Sequence, residues 1–260
     1  MSLIAADFTW FNLVPGYNDL QARIGHSLGY TYIEGEPIHG ATQLTLSLLA
    51  TGLVLAFAMA ARSRWSGADG GVIPEGRFSL GNVVESVLDQ VLSLGESVMG
   101  SRKNAERFMP IIGTAALFIL FNNLLGLVPG FAPATDNLNI TVGPALVIFF
   151  ATHYYGIKEN GLHYLAHFLG PKINGFPWLF WLMGPIELIS HFARPLSLAL
   201  RLMGNMTGDH KVLAIFLGLL YLSLPFLFLG TLVCVVQTLV FCLLSMVYIG
   251  LAIEHSAEGH

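Results

Sequence analysis

Glu187, His191, Arg194, Ser197, Arg201, Asn205 and then Asp209 or His210 recur at steps of three or four residues through one apolar stretch. Carboxylate, imidazole, guanidinium, hydroxyl and amide groups at that spacing line one face of a helix, where they can pass, hold or repel a charge. Between them stand Leu196, Leu198, Leu200, Leu202 and Met203, residues fit for lipid. An arginine at bilayer depth costs at least roughly 2.5 to 3.5 kcal/mol on insertion scales, so Arg201 is a candidate functional residue by default. Its guanidinium cannot shed its proton to escape that cost. This chain offers it no obvious carboxylate at the same depth, so a counter-ion is expected from another chain. A counter-ion that loads and unloads a proton would be held ionised by Arg201 nearby and released when displaced. The competing reading is structural, with Glu187 paired to Arg194 or His191 and Arg201 to Asn205. The last apolar run contributes one conspicuous polar residue, the neutral Gln237.

The elements that carry these residues belong in a membrane. Of 260 residues 54% are hydrophobic and 11% charged, less than half the share of an ordinary soluble domain. Mean hydropathy is +0.67. A net charge of −4 indicates no basic surface for nucleic acid, and that class is set aside. Cys234 and Cys242 lie too far apart along one helix to be bridged, so they say nothing about redox compartment. The first 40 residues lack the pattern of a signal or transit peptide, and targeting is expected from the spans themselves.

An all-α integral membrane protein follows from the order of the segments. After an external N-terminal segment, 1–40, an uncharged run at 41–61 is long enough to span a bilayer. The segment 62–107 holds half of the chain's 12 Lys and Arg and is expected in the cytoplasm. Within it Leu80, Val84, Val87, Val91, Leu94 and Val98 predict an amphipathic helix on the membrane surface. A transmembrane hairpin is expected at 108–156, its strands of apolar sequence at 109–128 and 138–156 joined by the external turn "PGFAPATDN", which carries Asp136. A cytoplasmic loop at 157–177 follows, then two long helices over 178–256, broken near Pro225, and a tail at 257–260. Both helices exceed one perpendicular span, which predicts steep inclination.

With these segments in place, "LRLMGNMTGDH" (200–210) and Gln237 within "VQTLVFCLLSMVYIGLAIEH" resemble subunit a of the F-type ATP synthase membrane sector. The resemblance extends to "FNNLLGLVPG", "PATDNLNIT" and "PIELISHFARPLSLALR", and covers roughly residues 80–256. It implies a stator that conducts protons past a ring of c subunits, with peripheral stalk b subunits, other ATP synthase subunits and membrane lipid as partners, in a bacterial cell membrane. Arg201 would gate the ring carboxylate and bar a leak between two half-channels. Asn205, His210, Gln237, Asn122 and Asn123 match positions of the external half-channel, and Glu187 and Ser197 match the cytoplasmic one, to which His191 on the same stripe is added. The two long helices would then face the ring. No cofactor and no catalytic chemistry in this chain are implied.

The chain departs from that pattern seven positions before the Gln, where many members carry an acid or histidine paired across to the position of His210. Here that place is Gly230. Asp209 or Asp136 is expected to supply the carboxylate instead. The i, i+4 pair His163 and His167 has metal-ligand spacing but lacks a third ligand, so no metal is expected. Two other classes are weighed. A haem-binding electron carrier would use His153, His191 or His210 as axial ligands from different helices, and explains neither Arg201 nor Gln237. A secondary transporter usually shows internal repeats, and none is visible.

Overall fold

The computed structural model describes residues 10–28, 40–65, 80–128, 131, 134–161, 180–220 and 224–254. Among the described residues the chain is helix and turn without strand. Helix α1 spans Tyr17–Leu28 after a short 3-10 turn at Trp10–Leu13; α2 spans Gly40–Trp65, α3 Leu80–Met99, α4 Arg102–Gly126, α5 Leu138–Asn160, α6 Phe180–Leu220 and α7 Leu224–Glu254. Among the described residues four stretches are long and apolar enough to cross a membrane: Thr42–Arg62, Arg102–Gly126, Leu138–Asn160 and Leu227–Ile253. Helix α6 differs in composition, since Glu187, Arg194, Arg201, Asp209 and Lys211 stand within its 41 residues. At about 1.5 Å per residue it is about 60 Å long, so it fits within one hydrocarbon core only if steeply inclined.

One helix start differs from the sequence reading. Helix α4 begins at Arg102 rather than Met109. Gly100, at φ +70°, stops α3 in the left-handed conformation that glycine adopts without strain. The chain then re-enters a helix at once, with the Ala105 amide bonded to the Ser101 carbonyl. The basic run "RKNAER" is therefore the first turns of α4 and not a free cytoplasmic strand of chain. Helix α6 begins at Phe180 and absorbs Pro185 and Pro195 in its interior. The loop 162–179, with His163 and His167, lies outside the described residues, as do most of the N-terminal segment and the tail.

The chain forms two compact units. The first comprises residues 1–65, 117–141 and 202–238, the second 66–116, 142–201 and 239–260. In the first, α1 meets α2 through the Tyr17 hydroxyl donating to Thr45 Oγ1 at 3.5 Å. Asn137 Nδ2 donates to Gln43 Oε1 at 2.6 Å, and Phe57 packs on Phe121. Its core includes Leu46, Ala50, Ile119, Leu202, Met206 and Cys234.

In the second unit α3, α4 and α7 close on Gly95. A Cβ there would stand 3.1 Å from Ala105 Cβ and 3.3 Å from Met246 Cε, so only glycine lets the three helices approach this far without a shift. Arg102 gathers the acidic side of α3 and α4, with Asp89 at 3.0 Å, Glu106 at 3.3 Å and Glu96 at 3.8 Å. Arg107 reaches Glu159 at 2.6 Å and lies over the Tyr155 ring. Asn160 Nδ2 donates to the Ala252 carbonyl at 2.7 Å. Phe108, Ile112, Ile148, Phe241, Met246 and Ile249 fill the core.

Candidate functional site

Helix α6 sorts its polar residues by how open they are. His191 is 7% exposed, Glu187, Arg194 and Asp209 are half-buried, and Ser197, Arg201 and Asn205 are exposed. The stripe read from sequence as one face thus straddles a boundary, with some groups turned into the chain and Ser197 and Arg201 turned out. Apolar side chains of α6 are exposed as well, among them Ile189, Phe192, Leu196 and Leu200. Gly204 and Gly208 have nothing within 4 Å of where a Cβ would stand. Among the described residues Arg201 makes no ion pair. An exposed guanidinium on a helix that also exposes apolar side chains suits an apolar partner that brings one carboxylate.

The first unit assembles most of the amide groups singled out in the sequence. Asn205 Nδ2 donates to Gln237 Oε1, joining α6 to α7. Both residues lie in positions where the surrounding sequence is apolar, and each amide answers the other's need for a partner. This replaces the Arg201 to Asn205 pairing considered from sequence. On α4, Asn122 and Asn123 are both 1% exposed. Asn122 Nδ2 donates to the Phe118 carbonyl at 2.8 Å, and Asn123 Oδ1 accepts from Thr135 Oγ1 at 2.7 Å. Thr135 belongs to the 3-10 turn Ala134–Asp136, so Asn123 fastens that turn to α4. The side chains of Asp136 and His210 lie outside the described ones, and His210 has its backbone on α6.

Asp209 lies beside Gly230. A Cβ on Gly230 would lie 3.0 Å from Asp209 Oδ2 and 2.6 Å from Leu127 Cδ2. The α6 carboxylate therefore rests against the α7 backbone at the position that lacks a side chain. Glycine leaves the room that the carboxylate occupies.

The second unit holds a separate polar cluster. His191 Nε2 lies 3.3 Å from Glu187 Oε1, the pairing that the one-turn spacing permits. Arg194 does not complete that pair; its guanidinium lies 5.6 Å from the centre of the Tyr248 ring on α7. His153 on α5 meets His191 edge to face, with ring centroids 5.1 Å apart. A small open pocket lies here, lined among others by Thr152, His153, His191, Arg194, Pro195 and Tyr248. His153 and Tyr248 went unassigned to any ion path in the sequence, since neither shares the α6 periodicity. The only signal was the requirement of a haem carrier for two histidines from different helices. His153 and His191 meet that requirement in place but not in shape, because rings in direct edge contact leave no slot for a macrocycle. Among the described residues no group of three or more His, Cys, Asp or Glu is placed to hold a metal.

Comparison with known proteins agrees in the same direction. The ATP synthase A chain family matches residues 44–250. The chain is 44% identical over 250 residues to ATP synthase subunit a of Sorangium cellulosum, covering 95% of this chain and 94% of that one. It is 39% identical over 251 residues to ATP synthase subunit a of Bdellovibrio bacteriovorus, covering 95% and 98%, and 45% identical over 221 residues to ATP synthase subunit a 1 of Syntrophotalea carbinolica, covering 84% and 87%. With four apolar helices of spanning length and a match that runs through α2 to α7, the chain is a multi-pass membrane protein that belongs to the ATP synthase A chain family.

Proposed function

We propose that this chain is the proton-conducting stator of an F-type ATP synthase, forming two half-channels that load and unload the carboxylates of a c-subunit ring. Other ATP synthase subunits are its partners by family. The ring and a peripheral stalk of b subunits are the two that this reading requires, in a bacterial cell membrane. The observation that carries it is Arg201, an exposed guanidinium without an ion pair among the described residues, on a helix that also exposes apolar side chains.

The external half-channel is built in the first unit, from Asn205, Gln237, Asn122, Asn123 and His210, with Asp209 as its carboxylate. Asp136 in the turn is the weaker candidate, since Asp209 already rests against the vacant position at Gly230. Glu187, His191 and Ser197 form the cytoplasmic half-channel in the second unit. Arg201 stands between the two sets along α6. A ring carboxylate passing it is held ionised by the nearby charge. Once displaced to either side, the same carboxylate can take or give a proton. A direct leak would have to bring a mobile cation past a fixed one in a low-dielectric setting, where like charges repel strongly. The length of α6 suits this role, because an inclined helix can follow the curved wall of a ring farther than a perpendicular one.

The test is ATP-driven proton pumping in inverted vesicles carrying the complex with Arg201→Ala, together with passive leak in the same vesicles. Loss of pumping with the complex assembled, and a raised leak, are the expected results. Unimpaired pumping would overturn the reading.

A further inference from the structure

We infer that His153 joins His191 and Glu187 as a proton relay, so that the cytoplasmic half-channel runs between α5 and α6 and not along α6 alone. The inference rests on the stator reading above. Three observations place these groups together: the Glu187 to His191 contact at 3.3 Å, the His191 and His153 rings 5.1 Å apart, and the small open pocket that both rings line. On the topology proposed, His153 near the end of α5 and His191 near the start of α6 lie toward the same, cytoplasmic, side.

The hydrogen bonds assign a nitrogen to each task. His153 Nδ1 lies 2.9 Å from the Phe149 carbonyl, which only accepts, so Nδ1 carries the hydrogen and Nε2 is the basic nitrogen of the neutral ring. His153 is therefore a one-nitrogen shuttle: Nε2 takes a proton and gives the same proton back, with no change of tautomer. The Glu187 carboxylate accepts from His191 Nε2, which leaves Nδ1 of that ring as its basic nitrogen. A proton arriving at His191 Nδ1 makes an imidazolium, and transfer of the Nε2 proton to Glu187 returns a neutral ring in the other tautomer. Only N–H and O–H bonds form and break, and the charge that enters is the charge that leaves. The rings touch edge to face with centres 5.1 Å apart, so the water that passes the proton between their nitrogens would sit beside them in the pocket.

The pocket has the polar partners that such a water needs. Thr152, Arg194 and Tyr248 stand beside the two imidazoles, and Pro195 has no N–H to occupy the His191 carbonyl one turn back. Among the described residues, the charged and titratable groups facing His153 and His191 include Glu187 and Arg194 from α6 and Tyr248 from α7.

The experiment measures passive proton conduction through the membrane sector, in vesicles stripped of the catalytic head, for His153→Ala, His153→Phe and His153→Asn. Flux is expected to fall about tenfold or more in all three with the complex assembled, as for loss of a positioned proton-transfer group. Imidazole added to the buffer should restore flux in His153→Ala but not in His153→Phe, whose ring fills the site. A packing role would show neither that rescue nor that difference. Wild-type flux in assembled His153→Asn, or a loss in His153→Ala that imidazole leaves unchanged, would overturn the relay. Arg201→Ala separates the two readings: if it abolishes pumping while the His153 variants conduct normally, the stator reading stands and the relay falls.

Discussion

Gly230 and Asp209 allow the external half-channel to be tested by moving its carboxylate. In Gly230→Ala the new methyl would meet Leu127 Cδ2 at 2.6 Å and Asp209 Oδ2 at 3.0 Å. Ordinary contact is about 3.5 to 4.0 Å, so the Leu127 tip must retreat by about 1 Å and the carboxylate by less. Overpacking of this kind costs about 1 to 3 kcal/mol, most of it absorbed by the flexible end of Leu127. Assembly is therefore expected to survive, with pumping reduced as the carboxylate is pushed from its place. Asp209→Asn removes the charge without changing shape, and proton flux is expected to fall about tenfold or more. Asp209→Asn with Gly230→Glu returns a carboxylate to the same space from α7 and should recover part of the loss, a coupling that a double-mutant cycle quantifies. The assay is ATP-driven pumping in inverted vesicles, normalised to assembled complex. Wild-type flux in Asp209→Asn, or a double variant no better than the single one, would refute the reasoning.

Asn205→Leu strands the buried Gln237 amide at about 1 to 3 kcal/mol, whereas Gln237→Leu leaves the exposed Asn205 amide to water and should cost less, and the double variant, which removes both partners, should cost less than the sum. Thermal stability of the complex reads that non-additivity, and pumping should be impaired in all three. For stalk attachment the two adjacent cations separate cleanly: Arg102 is committed to Asp89, Glu96 and Glu106 of its own chain, while Lys103 is exposed. Arg102→Glu should therefore destabilise the chain itself, seen as its loss from membranes. Lys103→Glu should leave the chain in place and lower stalk retention, and normal retention would remove Lys103 from that contact.

Sequence carried the parts of this protein that depend on one chain segment at a time. Uncharged runs long enough for a bilayer, the three-and-four spacing of Leu80 through Val98, and the resemblance around Arg201 are all local, and the described helices follow them. Arg201 itself was legible because a guanidinium cannot neutralise, so its presence in an apolar run demands a reason from sequence alone. The start of α4 was not, because the acids that engage Arg102 come partly from α3, a contact that spacing does not encode.

The same limit explains the site. Periodicity could place Glu187 and His191 one turn apart on one helix, but His153 and Tyr248 enter their cluster from α5 and α7. Sequence left the missing carboxylate open between Asp209 and Asp136. Packing set Asp209 against Gly230, since only the tertiary structure says which carboxylate lies beside a residue that has no side chain. A helical period tells which groups share a face, whereas which of them faces its own chain and which stays open for a partner depends on what the other helices cover. That is why His191 is buried and Arg201 exposed although both belong to one stripe.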